Sequence, residues 1–333
     1  MMLVLIGCHG DPLHAPGYRE PVEVGGTITS NTTWRAAYSP FRIIDDLVVP
    51  QNVVWQVEAG AEIIVDWNKA IDIRGQARLV GSPQDRITVR SEYGVWQGFR
   101  FGGESTSELR DVDIFYAVVG IRADSTTTEI ADCSFLYCDS TGFDVESAPL
   151  VSIEGCQFVN DRALNLFGPL AIRITNSDTV RIGNCTIAGF GQGIHLLDNN
   201  YQTTVQGNSI SNCGIGIVSN SQDSVQVRDN EFRGNDIGMI IRQGSPYLEG
   251  NAFLKHNEDI RVEGYCAPTA HYNSFIGSSS WAWAHYSPLD ADATLNWWGT
   301  TSISSIEAMI FDQQDDSLAG MVEVEPFLTS PNP

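Results

Sequence analysis

A turn signal that returns every 21 to 29 residues limits the fold of this chain more than any other feature of its sequence. In each repeat an aliphatic residue is followed by two polar residues, a Cys or Asn, one further residue and an Ile or Phe, as in Ile182–Ile187. A period of this length is typical of solenoids, in which one coil buries its apolar side chains only when neighbouring coils stack on it. The Cys/Asn column, which we expect to form a single file, consists of Cys133, Cys156, Cys185, Asn208, Asn230, Asn251, Asn273 and Asn296.

A second column follows each turn by about seven residues and opens a short run of alternating apolar and polar residues. Such alternation predicts strands with one buried face. With three short strands in each coil, the pattern predicts an all-β parallel solenoid whose like residues stack about 4.8 Å apart. The long step between Cys156 and Cys185 predicts an inserted loop over 168–178. The second column consists of Gly98-Phe99, Gly120-Ile121, Gly142-Phe143, Ala163-Leu164, Gly193-Ile194, Gly216-Ile217, Gly238-Met239 and Asp259-Ile260.

These repeats resemble the right-handed parallel β-helix, or pectin-lyase-like, family of bacterial exported proteins over residues 45–299. The resemblance implies a single-stranded right-handed solenoid with an N-terminal cap and a short C-terminal helical cap. We expect a cap and first coil over 26–66, the β-helix over 67–299 and a C-terminal cap over 300–333. The helical periodicity of Ser302–Ile310 predicts the helix of the second cap.

The N-terminal run that ends in Leu5-Ile6-Gly7-Cys8 resembles the lipobox of bacterial lipoproteins. It predicts a truncated lipoprotein signal over residues 1–8, lipidation of Cys8 and a location in the cell envelope or outside the cell. A chance apolar run with a buried Cys is the alternative. Residues 9–25 carry three prolines without apolar periodicity and predict a tether.

Composition limits the classes of function. The formal charge of -22, from 19 Lys plus Arg against 41 Asp plus Glu, argues against nucleic-acid partners, because the chain repels phosphate. No apolar run reaches the length of about 18 residues that a membrane-spanning helix needs. We expect a monomer whose partner is a polysaccharide or another envelope component.

The residue after each second-column pair is predicted to point outward, and so is the residue two positions further on. In the family that the repeats resemble, this strand usually lines the substrate cleft. From these positions we predict substrate contacts for Arg100, Asn165, His195, Arg261 and Trp283.

The outward carboxylates and arginines suggest a catalytic alternative. Two carboxylates at about 5 to 7 Å can share acid and base roles in glycoside cleavage or hold Ca²⁺, and the resemblance implies that an Arg can bind or deprotonate a uronate. The predicted catalytic set is Arg122, Asp124, Asp144 and Glu146, and no other cofactor or metal is predicted. An ion-pair ladder without function is the simpler interpretation.

The family's catalytic signatures are missing from this sequence. Gly193-Ile194-His195 departs from the Gly-His-Gly of polygalacturonase-like enzymes, and nothing matches their Arg-Ile-Lys. The leading hypothesis is therefore a surface module that binds polysaccharide. A polysaccharide lyase or glycoside hydrolase and a structural or adhesin module are the alternatives.

Overall fold

The computed structural model describes residues 19–103, 105–161, 168–223 and 225–331. The predicted lipidation site Cys8 and the predicted contact Asn165 lie outside these ranges. The chain divides into two compact units, Met1–Asp144 and Val145–Pro333. Within the described ranges, no helix is long and apolar enough to cross a membrane.

The described part of the first unit is built from parallel strands stacked in three files. Two longer strands lie at its start, β1 (Val22–Thr27) and β3 (Phe41–Val49), and they pair with each other. Strand β3 also pairs with β5 (Glu62–Val65), which begins the second file, and with β6 (Ala70–Ile73), which begins the third. A 3₁₀ turn covers Ala36–Tyr38. The first file holds β2 (Thr32–Trp34), β4 (Val54–Val57), β7 (Gln76–Val80), β10 (Thr106–Arg110) and β13 (Thr128–Ala131). The second holds β5 (Glu62–Val65), β8 (Ile87–Arg90), β11 (Val112–Phe115) and β14 (Ser134–Leu136), and the third holds β6 (Ala70–Ile73), β9 (Gly98–Gly102) and β12 (Val119–Asp124). Strand β15 (Thr141–Glu146) follows β14 and contains the boundary between the units.

The described part of the second unit repeats the three files. Its first file holds β16 (Leu150–Glu154), β19 (Thr179–Gly183), β22 (Gln202–Gln206), β25 (Val225–Arg228), β28 (Tyr247–Glu249), β31 (Thr269–His271), β34 (Ala291–Asp292) and β36 (Val322–Glu323). The second holds β17 (Gln157–Val159), β20 (Thr186–Ala188), β23 (Ser209–Ser211), β26 (Glu231–Arg233), β29 (Ala252–Leu254) and β32 (Ser274–Ile276). The third holds β18 (Leu170–Thr175), β21 (Gln192–Asp198), β24 (Ile215–Ser221), β27 (Ile237–Gln243), β30 (Glu258–Val262), β33 (Trp281–His285) and β35 (Ile310–Phe311). One short helix, α1, covers Ile303–Glu307.

Strands within a file pair in parallel, with equivalent repeat residues opposite each other. Val205 of β22 lies opposite Val227 of β25, and Ile182 of β19 lies opposite Val205. The all-β parallel solenoid predicted from the repeat is therefore confirmed. The loop predicted over 168–178 is wrong, because Leu170–Thr175 forms strand β18 and pairs with β21. Its alternating residues fit the third file, so the extra residues of this coil precede β18.

The Cys/Asn column forms a continuous hydrogen-bonded ladder in the second unit. Each backbone N–H in the column donates to the side-chain oxygen of the next Asn, at 2.9 Å from Cys185 to Asn208 and from Asn208 to Asn230, 3.0 Å from Asn230 to Asn251 and 2.9 Å from Asn251 to Asn273. The amide nitrogens donate to the same oxygens and to carbonyls of the preceding coil. These amides are almost completely buried, so the ladder supplies hydrogen bonds that water cannot.

Aromatic rings stack along the axis beside this ladder. The rings of Phe232 and Phe253 are parallel within 1° at 4.6 Å, Phe253 and Phe275 lie 5.3 Å apart, and Phe275 stacks on Trp298 at 4.6 Å. All four side chains are buried. Since each ring contacts its counterpart in the next coil, the core is continuous only when the coils keep their register.

We expect the Asn230→Ala substitution to lower the free energy of unfolding by about 2 to 4 kcal/mol. Asn230 both accepts from Asn208 and donates to Val205 and Asn251, so its loss leaves buried partners unsatisfied. Urea unfolding followed by circular dichroism measures the change. Gln226→Ala, at an exposed position of β25, is the control and is expected to stay within about 0.5 kcal/mol of the wild type. If the free energy of unfolding of Asn230→Ala also stayed within about 0.5 kcal/mol of the wild type, the ladder would have no structural role.

Candidate functional site

Four charged residues line the outward side of the third file in the first unit, and we call them the arginine row: Asp72, Arg100, Arg122 and Asp144. Strand pairing places Asp72 opposite Arg100 and Arg100 opposite Arg122. These residues alternate with buried Ile71, Phe99 and Ile121, which explains why the row faces outward. The sequence therefore predicted the position of Arg100 and Arg122 correctly.

The two arginines are neighbours of like charge. Arg100 Nη1 lies 3.6 Å from Asp72 Oδ1, and Arg122 Nε lies 3.3 Å from Asp144 Oδ2. The arginine side chains are 46% and 57% exposed, whereas that of Asp144 is only 7% exposed. The carboxylates therefore flank the row at its ends, and the guanidinium groups at its centre face solvent beside each other. Adjacent like charges on paired strands oppose folding, and an anionic ligand between them would remove this cost.

The four residues of the predicted catalytic set do not all meet in one unit. Arg122 and Asp144 form the ion pair just described. Asp124 is exposed, and its Oδ1 accepts a hydrogen bond of 2.7 Å from the hydroxyl of Ser125. Glu146 belongs to the second unit and is exposed. Within the first unit, the structure therefore joins one carboxylate of the set directly to Arg122.

In the second unit, Arg173 takes the outward position that the sequence assigned to Asn165. It lies on β18 opposite His195 of β21. Burial, and then the positive charges of Arg242 and Arg173, lower the pKa of His195 to about 4, so His195 is neutral at pH 7. Arg261 also faces outward, but both of its guanidinium contacts with Glu258 are 2.7 Å long. Of these two predicted contact residues, Arg261 is therefore held in an ion pair and His195 is neutral.

The prediction that Trp283 faces outward is wrong. Trp283 lies opposite Ile260 in β30, and Ala284 lies opposite Arg261. The step between these coils is one residue longer than the prediction assumed, and a slip of one residue moves a side chain to the other face of the strand. Trp283 is completely buried, as is His285, whose Nδ1 accepts a 3.4 Å hydrogen bond from the indole. Neither side chain can contact a ligand on the surface.

Two further outward positions are apolar. Val218 and Ile240 form a buried cluster with Ile215 and Ile237. In the alternation of β24 and β27, however, they lie on the other face of the strand from the core residues Ile217 and Met239. The outward side of the second unit is therefore interrupted by apolar side chains, whereas the arginine row is charged at all four positions.

A group of aromatic residues, which the sequence analysis missed, lies at the corner between the second and third files of the first unit. We call Trp67, Tyr93, Tyr116 and Tyr137 the aromatic corner; Trp67 is 68%, Tyr93 75% and Tyr116 44% exposed, and Tyr137 is half-buried. Backbone hydrogen bonds link the successive corners, from Asn68 to Val95, Trp96 to Tyr116 and Tyr116 to Leu136. The signal in the sequence is a Tyr directly after β11 and β14, at Tyr116 and Tyr137, where coils of the second unit place Gly, Asn or Lys.

The cysteines and the described acidic residues give no sign of a metal centre. The six described cysteines are buried, consistent with thiols that point inward. Burial raises the pKa of Cys138 to about 12. Within the described ranges, no group of three or more His, Cys, Asp and Glu side chains is placed to hold a metal ion. The role of Ca²⁺ stays a prediction.

Asp259 is a buried carboxyl group at a position that is Gly in the three preceding coils, at Gly193, Gly216 and Gly238. It is completely buried, and neither carboxylate oxygen makes a well-formed hydrogen bond within the described residues. Burial, opposed by the nearby Ser278, raises the pKa of Asp259 to about 8. The group is therefore protonated in the folded chain at neutral pH.

The family of the chain follows from its sequence. The model of the right handed beta helix region matches residues 97–253 and 170–280, which together extend over more than half of the chain. The chain therefore belongs to the right-handed β-helix family, and the predicted family and handedness are confirmed. No curated protein sequence matches the chain significantly.

Several solved structures resemble the chain at low identity. The periplasmic alginate epimerase AlgG is 12% identical, with 93% of this chain and 86% of that protein covered and a TM-score of 0.47. The Dettilon tailspike protein is 12% identical, with 92% and 62% covered and a TM-score of 0.44. The A-module of the Azotobacter vinelandii mannuronan C-5 epimerase AlgE6 is 12% identical, with 93% and 89% covered and a TM-score of 0.27. Scores this low carry no argument about the site.

We expect the Asp259→Asn substitution to change how stability depends on pH. The pKa of Asp259 in the folded chain lies above its unfolded value of 3.8. The wild-type carboxyl group therefore contributes its full stabilisation below pH 3.8, and this contribution to the free energy of unfolding is lost as the pH rises to about 8. The free energy of unfolding of the variant, relative to wild type, should therefore rise by on the order of 5 kcal/mol over this range. Urea unfolding at a series of pH values measures it, with exposed Asp236→Asn as control. Parallel profiles for wild type and Asp259→Asn would contradict the raised pKa.

Proposed function

We propose that this chain binds an acidic polysaccharide through the arginine row of its first unit. The observation that carries the proposal is the pair Arg100 and Arg122, which lie opposite each other on adjacent strands and keep about half of each side chain exposed. Guanidinium groups present planar sets of donors that match carboxylates, and they lose less hydration than ammonium groups. A chain of uronate sugars offers one carboxylate on each residue and so suits a row of such groups.

The overall acidity of the protein does not oppose this proposal at physiological salt. The Debye length at 0.15 M salt is about 8 Å, so most of the 41 acidic residues are screened from a ligand at the row. Asp72 and Asp144 are the acidic members of the row and lie at its two ends. The local positive charge between them is what an anionic ligand would meet first.

The same proposal includes a location for the protein at the bacterial cell envelope. The predicted tether covers residues 9–25, but its last four residues belong to strand β1. A lipidated Cys8 and the part of the chain before β1 would hold the β-helix at the surface of a bacterial envelope, where polysaccharides are abundant. Mass spectrometry of the protein isolated from membranes tests this part, since a lipidated Cys8 changes the mass of the N-terminal peptide.

The catalytic and structural alternatives stay predictions. A lyase or hydrolase that uses Arg122, Asp124, Asp144 and Glu146 would release unsaturated or reducing ends from a uronate polymer, and Asp144→Ala would abolish that release. A purely structural or adhesin module would neither bind nor cleave the polymer. Absorbance of new double bonds and a reducing-end assay distinguish these outcomes from binding alone.

We expect the Arg122→Gln and Arg100→Gln substitutions each to weaken binding of polygalacturonate by about fivefold to tenfold at 0.15 M salt. Both changes remove one charge and keep much of the side-chain length. Affinity electrophoresis in gels that contain the polymer measures the change. Both arginine side chains are about half exposed, so we expect the variants to keep their fold; thermal unfolding checks this for Arg122→Gln, whose partner Asp144 is only 7% exposed.

The control for this experiment is Arg110→Gln, an exposed arginine on the first file of the same unit. It lowers the total charge by the same amount but lies outside the row. Equal weakening by all three substitutions would show that net charge alone governs binding, and unchanged binding by the row variants would remove the proposed site.

A further inference from the structure

Two of the three tyrosines of the aromatic corner, Tyr116 and Tyr137, occupy a backbone conformation that disfavours them. Tyr116 has φ of 55° and Tyr137 has φ of 59°. In this left-handed region the Cβ of an L-residue is crowded by the backbone, so Gly and Asn are the usual occupants and a bulky side chain is an outlier. Strain of this kind persists where the rest of the structure imposes it, and it is enriched at binding sites.

The fold itself does not require an aromatic residue at this corner. The equivalent position is the first residue after each second-file strand, and after β20, β23, β26, β29 and β32 of the second unit it also has positive φ, between 52° and 79°. It is occupied there by Gly189, Asn212, Gly234, Lys255 and Gly277. The turn is therefore made equally well by residues that relieve the strain, and the tyrosines of the first unit need another reason.

The geometry of the two rings points to a ligand-binding surface. The rings of Tyr116 and Tyr137 lie 5.7 Å apart with planes 15° from parallel. Since stacked rings touch at less than 4 Å, a separation of 5.7 Å means that the rings are offset and each leaves part of its face uncovered. On the preceding coils of the same corner, Trp67 and Tyr93 are more exposed still, and the Trp67 ring lies against Gly94. Aromatic rings thus occur at four successive corners of the first unit, and those of Trp67, Tyr93 and Tyr116 are exposed.

We propose that the aromatic corner binds the apolar faces of pyranose rings and forms a second part of the polysaccharide site. Carbon-bound hydrogens on one face of a pyranose make it apolar, and such faces stack on aromatic rings. Each corner immediately precedes the third-file strand of its own coil: Tyr116 precedes β12, which carries Arg122, and Tyr137 precedes β15, which carries Asp144. The corner and the arginine row therefore belong to the same coils. This inference rests on the proposed function, because it assigns a second subsite to the same polymer.

The test replaces Tyr116 and Tyr137 by Asn, singly and together, and measures binding of two probes. One probe is polygalacturonate, and the other is the same polymer after chemical reduction of its carboxyl groups, which keeps the rings and removes the charge. We expect each single substitution to weaken binding of both probes by about threefold to tenfold. Tyr201→Asn is the matched control, since Tyr201 is 54% exposed but lies in the second unit away from any such corner.

Thermal unfolding separates binding from folding. Because Asn suits the left-handed conformation, Tyr116→Asn and Tyr137→Asn should melt within about 3 °C of wild type or above it. A melting temperature that falls further, together with weaker binding, would assign the tyrosines a structural role and overturn the inference. Unchanged affinity for both probes would also overturn it.

The two proposals fail in different ways. If Arg100→Gln and Arg122→Gln weaken binding of polygalacturonate while the tyrosine variants bind both probes normally, the arginine row stands and the aromatic corner does not. If the tyrosine variants bind the reduced polymer less well while the arginine variants match Arg110→Gln, the corner stands and the row does not. Wild-type protein that binds neither probe would reject both.

Discussion

The structure depends on the side-chain amides that pass hydrogen bonds from one coil to the next. In the second unit, Asn208, Asn230, Asn251 and Asn273 are almost fully buried, and each satisfies the backbone of its neighbour. A buried amide without partners costs more than the net gain from a typical hydrogen bond, so no coil is stable until the next one is in place. The same bonds hold the coils in register, because a shift of one residue would turn the amides away from their partners and the core side chains toward water.

Register in turn creates the surface sites. Arg100 and Arg122 are separated by 22 positions in the chain yet lie opposite each other on paired strands. Likewise, Tyr116 and Tyr137 are remote in sequence, but their rings stack. A parallel stack turns any residue type that recurs at the repeat length into a row with a spacing of about 4.8 Å. A polymer with a regular repeat suits such a surface better than a small molecule does, since both present the same group again and again along one direction.

Two places depart from the local rules that the rest of the fold obeys. Asp259 puts a carboxyl group where the three preceding coils have Gly, and Tyr116 puts a bulky ring where coils of the second unit have Gly, Asn or Lys. Both are tolerated because the surrounding coils fix the backbone. They differ in exposure: Asp259 is sealed in the core and acts on stability alone, whereas Tyr116 is open to solvent and available to a ligand. The buried Asp259 can therefore affect only folding, whereas the exposed Tyr116 can also contact a ligand.

The sequence by itself determined the solenoid, the Cys/Asn file and the outward positions of Arg100 and Arg122, because a repeated period fixes which residues stack whatever the details of the turns. It did not determine the register where the repeat length changes. Trp283 was assigned to the surface and Leu170–Thr175 to a loop, since a step longer by one residue reverses every face and an insertion can lie on either side of a strand. The aromatic corner was also decided only by the tertiary structure. The exposure of Tyr116 and the left-handed conformation of Tyr116 and Tyr137 depend on how three strands turn into one another, which no local pattern of apolar and polar residues encodes.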